Sequence, residues 1–252
     1  LTPTLIGSFV LLGLFPLIAK KIVDVAKARR VYARWAGAKP KAFDRNLVVI
    51  GAGAAGLVTS YIAAAVKAKV TLVEAHKMGG DCLNYGCVPS KALIKTATLM
   101  RQIRHAPDYG IAQAEATIDF AQVMERIAHV VRAVEPHDSV ERYTGLGVDV
   151  AIGRAKITSP WHVEITKDDG SKQTLSTKSI VIATGAAPFV PPLPGLNDVG
   201  YLTSDTLWGL REQPTRLVVL GGGPIGCELA QSFARLGSQV TQIEMLPRIM
   251  IR

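Results

Sequence analysis

Two cysteines are the residues of this sequence whose type and spacing are best suited to chemistry. Cys82 and Cys87 stand five residues apart in the cysteine segment, GGDCLNYGCVPSK, which runs from Gly79 to Lys91. Five residues of a regular helix rise about 7.5 Å, whereas a disulfide needs Cα atoms about 4.4–6.8 Å apart. A bridge between the two therefore requires a distorted turn, which Gly86 can supply.

The residues after the pair predict a basic environment for Cys87. A helix is predicted from Ser90 to Ile103, so Cys87 lies near a helix start, where the dipole stabilises a thiolate. Lys91 adds a positive charge one turn on. These surroundings favour a dithiol that opens and closes catalytically. A structural zinc site would need four ligands, and the sequence has only one further cysteine, Cys227. Two inert buried thiols are the remaining alternative.

A glycine-rich segment before the cysteines has the pattern of a dinucleotide site. Leu47–Ile50 predicts a strand buried on both faces, Leu57–Val66 a helix, and Val70–Val73 a second strand that ends at Glu74. The G-x-G-x-x-G between strand and helix allows a tight turn and close approach of a pyrophosphate. The helix N-terminus would bind phosphate, and Glu74 the ribose. The residues of this first turn are Gly51, Gly53, Ala54, Ala55 and Gly56.

The same pattern recurs near the end of the sequence. A strand is predicted at Leu217–Leu220, a helix at Glu228–Leu236, and a strand at Val240–Ile243 that ends at Glu244; both copies place the acid 23 residues after the first glycine. Two dinucleotide sites imply electron transfer between two cofactors. Glu244 suits a free 2′-hydroxyl and favours NADH over NADPH. The second turn contains Gly221, Gly223, Pro224, Ile225 and Gly226.

Together these motifs resemble the FAD-dependent pyridine nucleotide–disulfide oxidoreductase family (class I), in particular its mercuric reductase-like and dihydrolipoamide dehydrogenase-like members. The likeness covers about residues 46–252 and includes the run Ile182–Gly185. It implies that hydride passes from NAD(P)H through FAD to a Cys82–Cys87 disulfide, and on to a disulfide or metal-ion substrate. The reverse reaction, oxidation of a dithiol, would use the same groups.

The resemblance also implies roles for individual residues. Cys82 would be the interchange thiol that meets the substrate, and Cys87 the thiol against the flavin ring. Lys91 and Glu228 would pair near the flavin N5. The first turn would bind FAD and the second turn, with Glu244, would bind NAD. Further FAD contacts would come from Glu74, Gly80, Asp81, Lys91, Ala155, Thr184 and Gly185.

Some family features differ or do not occur. Thr is usual at Asp81, and Lys67 stands where a glycine usually ends the first helix, although the second copy keeps Gly237. The family's second FAD motif and its His-Pro-x-x-x-Glu, which supplies a catalytic base from the other subunit of a homodimer, do not occur in the sequence. His137 and His162 are in the wrong context to replace that base and are predicted at the surface. We therefore expect a fragment cut at both ends, with weak flavin binding and no NADH-driven turnover.

An apolar run and a basic stretch precede the motifs. Leu5–Ala19 has no charged residue, and Lys20–Arg45 has nine Lys and Arg against two Asp, or +7 of the chain's net +9. Because the positive charges follow the apolar run, they argue against a secretory signal and mark the cytoplasmic side of a membrane segment. This places the protein at the cytoplasmic face of a bacterial-type inner membrane; a buried or interfacial helix is the alternative. Such clustering also argues against a nucleic-acid partner.

The predicted fold class is α/β, with parallel sheets and helices on both faces. The 252 residues are 48% hydrophobic and include three cysteines, which excludes a disordered or disulfide-scaffold protein.

Two other functions stay open: a membrane-tethered, non-catalytic FAD redox sensor, and an NADH dehydrogenase-type enzyme that reduces a quinone. Neither would need the cysteine pair. The expected divisions are a membrane segment (1–19), a basic linker (20–45), a Rossmann-like FAD-binding domain (46–187), a crossing segment (188–214) and the first β-α-β of a Rossmann-like NAD-binding domain (215–252).

Overall fold

The computed structural model describes residues 3–250, with side chains from Leu14 onward, and the chain forms two compact units, Leu1–Phe43 and Asp44–Arg252. The first unit contains α1 (Pro3–Tyr32), which has Pro16 in its interior. Of the predicted membrane segment at 1–19, residues 1 and 2 lie outside the described residues. Within the described part of the chain, no helix combines the length and hydropathy that a bilayer crossing requires. The predicted transmembrane helix is therefore not confirmed.

A six-stranded sheet forms the larger part of the second unit. Four neighbouring strands are parallel: β3 (Asp149–Ile152), β2 (Val70–Glu74), β1 (Arg45–Ile50) and β6 (Lys172–Ile182). Two more strands continue the sheet beyond β6 in antiparallel pairing: β5 (His162–Thr166) and β4 (Arg154–Ser159). The sequence therefore predicted the parallel strands β1 and β2, but neither β3 nor the two antiparallel strands.

The two faces of the parallel strands are covered differently. On one face, Leu57 and Ala64 of α2 (Ala54–Ala65) pack with Val49 and Leu72. The other face is covered by β5 and the first residues of β6, which contribute Val163, Ile165 and Leu175 to a cluster with Val48 and Val73. Strand β6 has two partners: its residues 177–182 pair with β1 and its residues 172–176 pair with β5. The hairpin formed by β5 and β6 therefore lies across the parallel strands. The prediction of helices on both faces of this sheet is wrong for that reason.

Four further helices lie between β2 and β3: α3 (Gly80–Asn84), α4 (Cys87–Arg104), α5 (Phe120–Val134) and α6 (Val140–Gly145). Asp119 caps α5 by accepting the Gln122 N–H at 3.0 Å. The cap satisfies one of the unpaired N–H groups at the helix start.

The last elements form a second, smaller sheet. β7 (Arg216–Leu220) and β8 (Gln239–Ile243) are parallel and are joined by α7 (Pro224–Leu236). A single hydrophobic cluster joins α7 to α4 and α5, with Phe233 buried beside Leu93 and Met124. The sheet itself is open, since Val218 is 60% exposed and Ile243 is 51% exposed.

Candidate active site

The first turn, residues 51–56, has the backbone geometry of a phosphate-binding loop. Gly51 follows β1 with a φ of 102°, in the left-handed region that favours glycine. Gly53 is the N-cap of α2, and a Cβ on Gly56 would clash with the Gly51 carbonyl oxygen. The helix start therefore lies directly against the end of the strand. The backbone N–H groups of its first turn have no partners within the helix and suit an anion.

Glu74 lies at the side of the first turn. It ends β2 and is only 8% exposed. Its carboxylate accepts the Ala52 N–H at 2.6 Å and the His76 N–H at 2.7 Å. Each carboxylate oxygen has a further lone pair, so the group is oriented by the backbone and can still accept hydrogen bonds from a ribose.

The cysteine segment packs on the first turn. The Gly79 N–H donates to the Ala52 carbonyl at 2.9 Å, and a Cβ on Gly80 would lie 2.6 Å from the Gly53 Cα. On the other side Ala183, just after β6, donates its N–H to the last carbonyl of β1 at 2.8 Å. Three segments that are distant in sequence therefore meet at the carboxyl ends of β1 and β6, where open α/β sheets bind ligands.

A break between two helices brings the cysteines together. Tyr85 and Gly86 separate α3 from α4, and their N–H groups both donate to the Asp81 carbonyl, at 2.9 and 2.5 Å. Cys82 and Cys87 are free thiols joined by a hydrogen bond. The predicted departure from a straight helix is confirmed.

The surroundings of Cys82 oppose the loss of its proton. The hydrogen bond with Cys87 is the largest cause that raises the pKa of Cys82 to about 11; burial and the charges of Cys87 and Asp138 add to it. Both the contact with Cys87 and burial therefore favour the protonated form of Cys82. Cys87 is the first residue of α4 and is the more exposed of the two. The helix dipole stabilises a thiolate at this position.

Lys91 and Glu228 form the predicted ion pair. The Lys91 Nζ lies 2.8 Å from each carboxylate oxygen of Glu228, which connects α4 to α7. The two side chains are 61% and 40% exposed. Their contact is confirmed, and their role beside a flavin stays a prediction.

Asn84 is a site residue that the sequence analysis did not single out. Its Nδ2 donates to the Met78 carbonyl at 3.0 Å and to the Gly80 carbonyl at 2.9 Å. These bonds fix the loop that packs on the first turn. The available signal was an asparagine close to a Gly-Gly pair, because asparagine side chains commonly bond to turn backbone.

The second turn, residues 221–226, repeats the first in detail. Gly221 has a φ of 107°, and Gly223 is the N-cap of α7. Glu244 accepts the Leu246 N–H at 2.9 Å and the Gly222 N–H at 2.5 Å, which together hold the pKa of its carboxyl below the ordinary value. Pro224 and Ile225 are the first two residues of α7. The Cys227 thiol donates to the Gly222 carbonyl at 3.4 Å, so this cysteine packs against the second turn rather than near the other two.

The remaining predicted FAD residues lie around the first turn. Ala54 and Ala55 are the exposed first residues of α2, and Thr184 is exposed after β6. A Cβ on Gly185 would lie 3.6 Å from the Asp81 Oδ2, so the carboxylate faces that loop. Ala155 is on β4, just after Gly153, whose N–H donates to the Glu74 carbonyl at 2.7 Å. None of these positions is remote from the first turn.

The two histidines considered as replacements for the catalytic base differ in exposure. His137 is exposed, as predicted. His162 is half-buried, and its Nδ1 lies 2.8 Å from the Ser159 Oγ in the turn between β4 and β5.

Comparison with known proteins agrees with this geometry. Residues 45–252 match the family model described as "Pyridine nucleotide-disulphide oxidoreductase". The chain is 33% identical over 208 residues to a mercuric reductase of Bacillus cereus, covering 82% of this chain and 32% of that protein. It is 37% identical over 211 residues to a dihydrolipoyl dehydrogenase of Mycoplasma pneumoniae, covering 81% of this chain and 45% of that protein.

A solved structure shows the same fold. The HOCl-induced flavoprotein disulfide reductase RclA from Escherichia coli superimposes with a TM-score of 0.68 at 29% identity, covering 81% of this chain and 42% of that one. The chain thus spans about a third to less than half of the length of these relatives.

Proposed function

The chain belongs to the pyridine nucleotide–disulphide oxidoreductase family, and on that premise we propose that it passes hydride from NAD(P)H through FAD to a Cys82–Cys87 disulfide, and on to a disulfide or metal-ion substrate. The reverse, oxidation of a dithiol, uses the same groups. One observation carries the proposal: the first turn and the cysteine segment form a single structure, joined by the Gly79–Ala52 hydrogen bond. A quinone reductase or a non-catalytic redox sensor would not need the thiol pair at this place.

The residues of the first turn fit FAD. Glycines at Gly51 and Gly56 keep the strand end and the helix start free of side chains that would clash, so the N-terminus of α2 can bind the pyrophosphate. The oriented carboxylate of Glu74 suits the adenosine ribose. When bound, FAD would relay two electrons, received as hydride, between a nicotinamide and the disulfide. Cys87, which is exposed, is the thiol that would contact the flavin ring.

The two thiols divide the exchange with substrate between them. Reduction of the disulfide by two electrons and two protons gives two thiols, and the raised pKa of Cys82 favours its protonated form. Attack of Cys82 on a substrate disulfide requires loss of its proton. Because a pKa of about 11 opposes that loss, the exchange needs a base.

Protection from alkylation tests the flavin site directly. Iodoacetamide labelling of the reduced chain, followed by mass spectrometry, gives separate rates for each cysteine. Excess FAD should slow labelling of Cys87 severalfold and leave Cys227 unchanged as an internal control. Equal labelling of Cys87 with and without FAD would contradict the proposed site.

We further propose that residues 46–187 serve FAD and residues 215–252 serve NAD, joined by residues 188–214, with NADH preferred over NADPH. Glu244 supports the preference because its carboxylate lies beside the second turn and its lowered pKa keeps it charged. A 2′-phosphate would be repelled there. The ratio of kcat/KM for the two nucleotides tests this: Glu244→Gln should bring the ratio closer to one, and a wild-type protein that prefers NADPH would refute it.

A homodimer is the proposed assembly of the active protein. The support is chemical: Cys82 needs a base for exchange, His162 is engaged with Ser159, and His137 is exposed. A histidine from a second subunit would meet the need. The mass of the protein in solution, by sedimentation equilibrium, tests the assembly, and a monomer with full disulfide reductase activity would exclude it.

The proposed location is the cytoplasmic face of a bacterial-type inner membrane, with the basic segment at the lipid surface. Its support is the exposed side chains of α1, which include Phe15 and Ile22 as well as Lys20, Lys21 and Arg30. Basic residues near an anionic surface contribute about 1 kcal/mol each. The chain should sediment with phosphatidylglycerol vesicles and not with phosphatidylcholine vesicles. Replacement of the lysines and arginines of residues 20–34 by glutamine should abolish the difference; binding that ignores lipid charge would refute the proposal.

A further inference from the structure

A tryptophan far away in sequence contacts the link between the two cysteines. The Trp208 Nε1 donates to the Tyr85 carbonyl at 2.8 Å, across 123 residues of chain. Tyr85 is the C-cap of α3 and, with Gly86, forms the thiol turn that separates Cys82 from Cys87. No motif of the sequence includes Trp208.

The hydrogen bond completes the polar contacts of the thiol turn. The N–H groups of Tyr85 and Gly86 are taken by the Asp81 carbonyl. The Tyr85 carbonyl comes after the last residue of α3, where helical partners end. The indole N–H supplies a partner on this side, while the Lys77 Nζ lies 5.6 Å from the centre of the Tyr85 ring on the side-chain side.

Trp208 is itself held by the hydrophobic core. It lies in a short 3-10 turn, Leu207–Gly209, whose Leu207 is 5% exposed in the cluster with Phe233 and Leu236. The Trp208 side chain packs on the same cluster and is half-buried. A donor fixed in the core is therefore aimed at a turn nearer the surface, which limits how far that turn can move.

We infer that Trp208 is a positioning residue for the Cys82–Cys87 pair: its hydrogen bond to the Tyr85 carbonyl stabilises the broken-helix geometry in which the two sulfurs meet. This inference rests on the proposed redox function of the pair. Without the bond, the thiol turn is held only through its N–H groups and can move, so the cysteine Cα atoms are less firmly kept within the reach of a disulfide. Trp208 thus favours the disulfide over the dithiol.

The equilibrium with glutathione measures this preference without flavin, nicotinamide or turnover. In the reaction, the dithiol and oxidised glutathione give the Cys82–Cys87 disulfide and two reduced glutathiones. The equilibrium constant is read from acid-quenched, thiol-labelled samples in a Cys227→Ser background. Trp208→Phe keeps an aromatic ring and removes the donor together with part of the indole, and Trp161→Phe makes the same change in the β4–β5 turn as the matched control.

We expect Trp208→Phe to lower the equilibrium constant about tenfold, which corresponds to about 30 mV, and Trp161→Phe to leave it unchanged. An unchanged constant in folded Trp208→Phe, or an equal fall in both variants, would overturn the inference. A wild-type pair that forms no disulfide would instead remove the proposed function. If Trp208→Phe does not fold, replacement of Trp208 by 3-benzothienylalanine, which has the shape of tryptophan without the N–H, gives the same comparison.

Discussion

The two glycine-rich turns of this chain have nearly the same backbone and different surroundings. Gly51 and Gly221 have φ values of 102° and 107°. Glu74 and Glu244 each accept one N–H from their turn and one from the residue two positions after the acid. Local sequence is therefore sufficient to set the turn.

The strands that support these turns differ in what covers them. Val48 on β1 is fully buried, whereas Val218, at the equivalent position of β7, is 60% exposed. The first turn lies at the end of a six-stranded sheet and the second at the end of a two-stranded one. The comparison teaches that the shape of such a turn is local, whereas its contribution to stability depends on the packing around it.

The largest difference in stability between the two copies should appear when the glycine that lets the helix pack against the strand is replaced by alanine. A Cβ on Gly56 or on Gly226 would clash with the carbonyl of the first glycine of its own turn. Because the first turn is embedded in the buried sheet, Gly56→Ala should lower the free energy of unfolding by about 3 kcal/mol or more, and Gly226→Ala should lower it less. Urea denaturation measures the free energy of unfolding of both variants. A greater loss for Gly226→Ala would contradict the claim that packing around the first turn makes it the more sensitive of the two.

A smaller effect is expected at the residue that ends each helix. Lys67 has a φ of 62° and Gly237, its equivalent, a φ of 113°. Since a left-handed backbone costs roughly 1–2 kcal/mol in a residue with a Cβ, Lys67→Gly should raise stability by about 0.5–1 kcal/mol and Gly237→Lys should lower it by about 1–2 kcal/mol. Lys67→Ala, which retains the Cβ, is the control and should show no gain. Thermal unfolding of the three variants measures these changes. A Lys67→Gly variant less stable than the wild-type chain would contradict the prediction.

The buried serines of α2 and α7 give a third comparison. The Ser60 Oγ is the buried side-chain oxygen that has no hydrogen-bond partner in the described residues, and Ala230 occupies the equivalent position in the second copy. Ser232, also buried, donates to the Glu228 carbonyl at 2.7 Å. Ser60→Ala should therefore raise the free energy of unfolding by up to about 1 kcal/mol, and Ser232→Ala should lower it by about 1 kcal/mol. Opposite signs in chemical denaturation support this; a loss for both would contradict it.

The smallest effect is expected for the ion pair that connects the two regions. Lys91 and Glu228 are well exposed, so solvent screens their attraction and the pair is expected to contribute about 0.5 kcal/mol. A double-mutant cycle with Lys91→Met and Glu228→Gln measures the coupling. A coupling free energy above about 2 kcal/mol would contradict this expectation, because it would mean that solvent does not screen the pair.

Much of the site followed from the sequence because its parts are local. The strand, glycine turn, helix and acid were predicted in both copies, and Gly86 indicated the break between Cys82 and Cys87. Each depends on the conformational limits of a few neighbouring residues. The Lys91–Glu228 contact came from the family resemblance, and the sequence contains no sign of how exposed it is.

The features that were missed depend on distant contacts. Strand β5 lies over the parallel strands only because β6 pairs on both edges, which no local pattern in residues 154–182 reveals. Trp208 lies 123 residues from its acceptor, and a single tryptophan in a short turn gives no indication of its partner. Long-range pairing of this kind is decided by packing rather than by local propensity.

The most direct test of the proposed redox site is whether Cys87, rather than Cys82, contacts bound flavin as a thiolate. The chain is mixed anaerobically with excess FAD and one equivalent of dithiothreitol, and its absorbance is compared with that of Cys82→Ser and Cys87→Ser. We predict a long-wavelength charge-transfer band in the wild-type chain and in Cys82→Ser, where Cys87 needs no reductant, and none in Cys87→Ser. A band that survives in Cys87→Ser and disappears in Cys82→Ser would contradict the assigned roles. Bound flavin without a band in any of the three proteins would contradict the site itself.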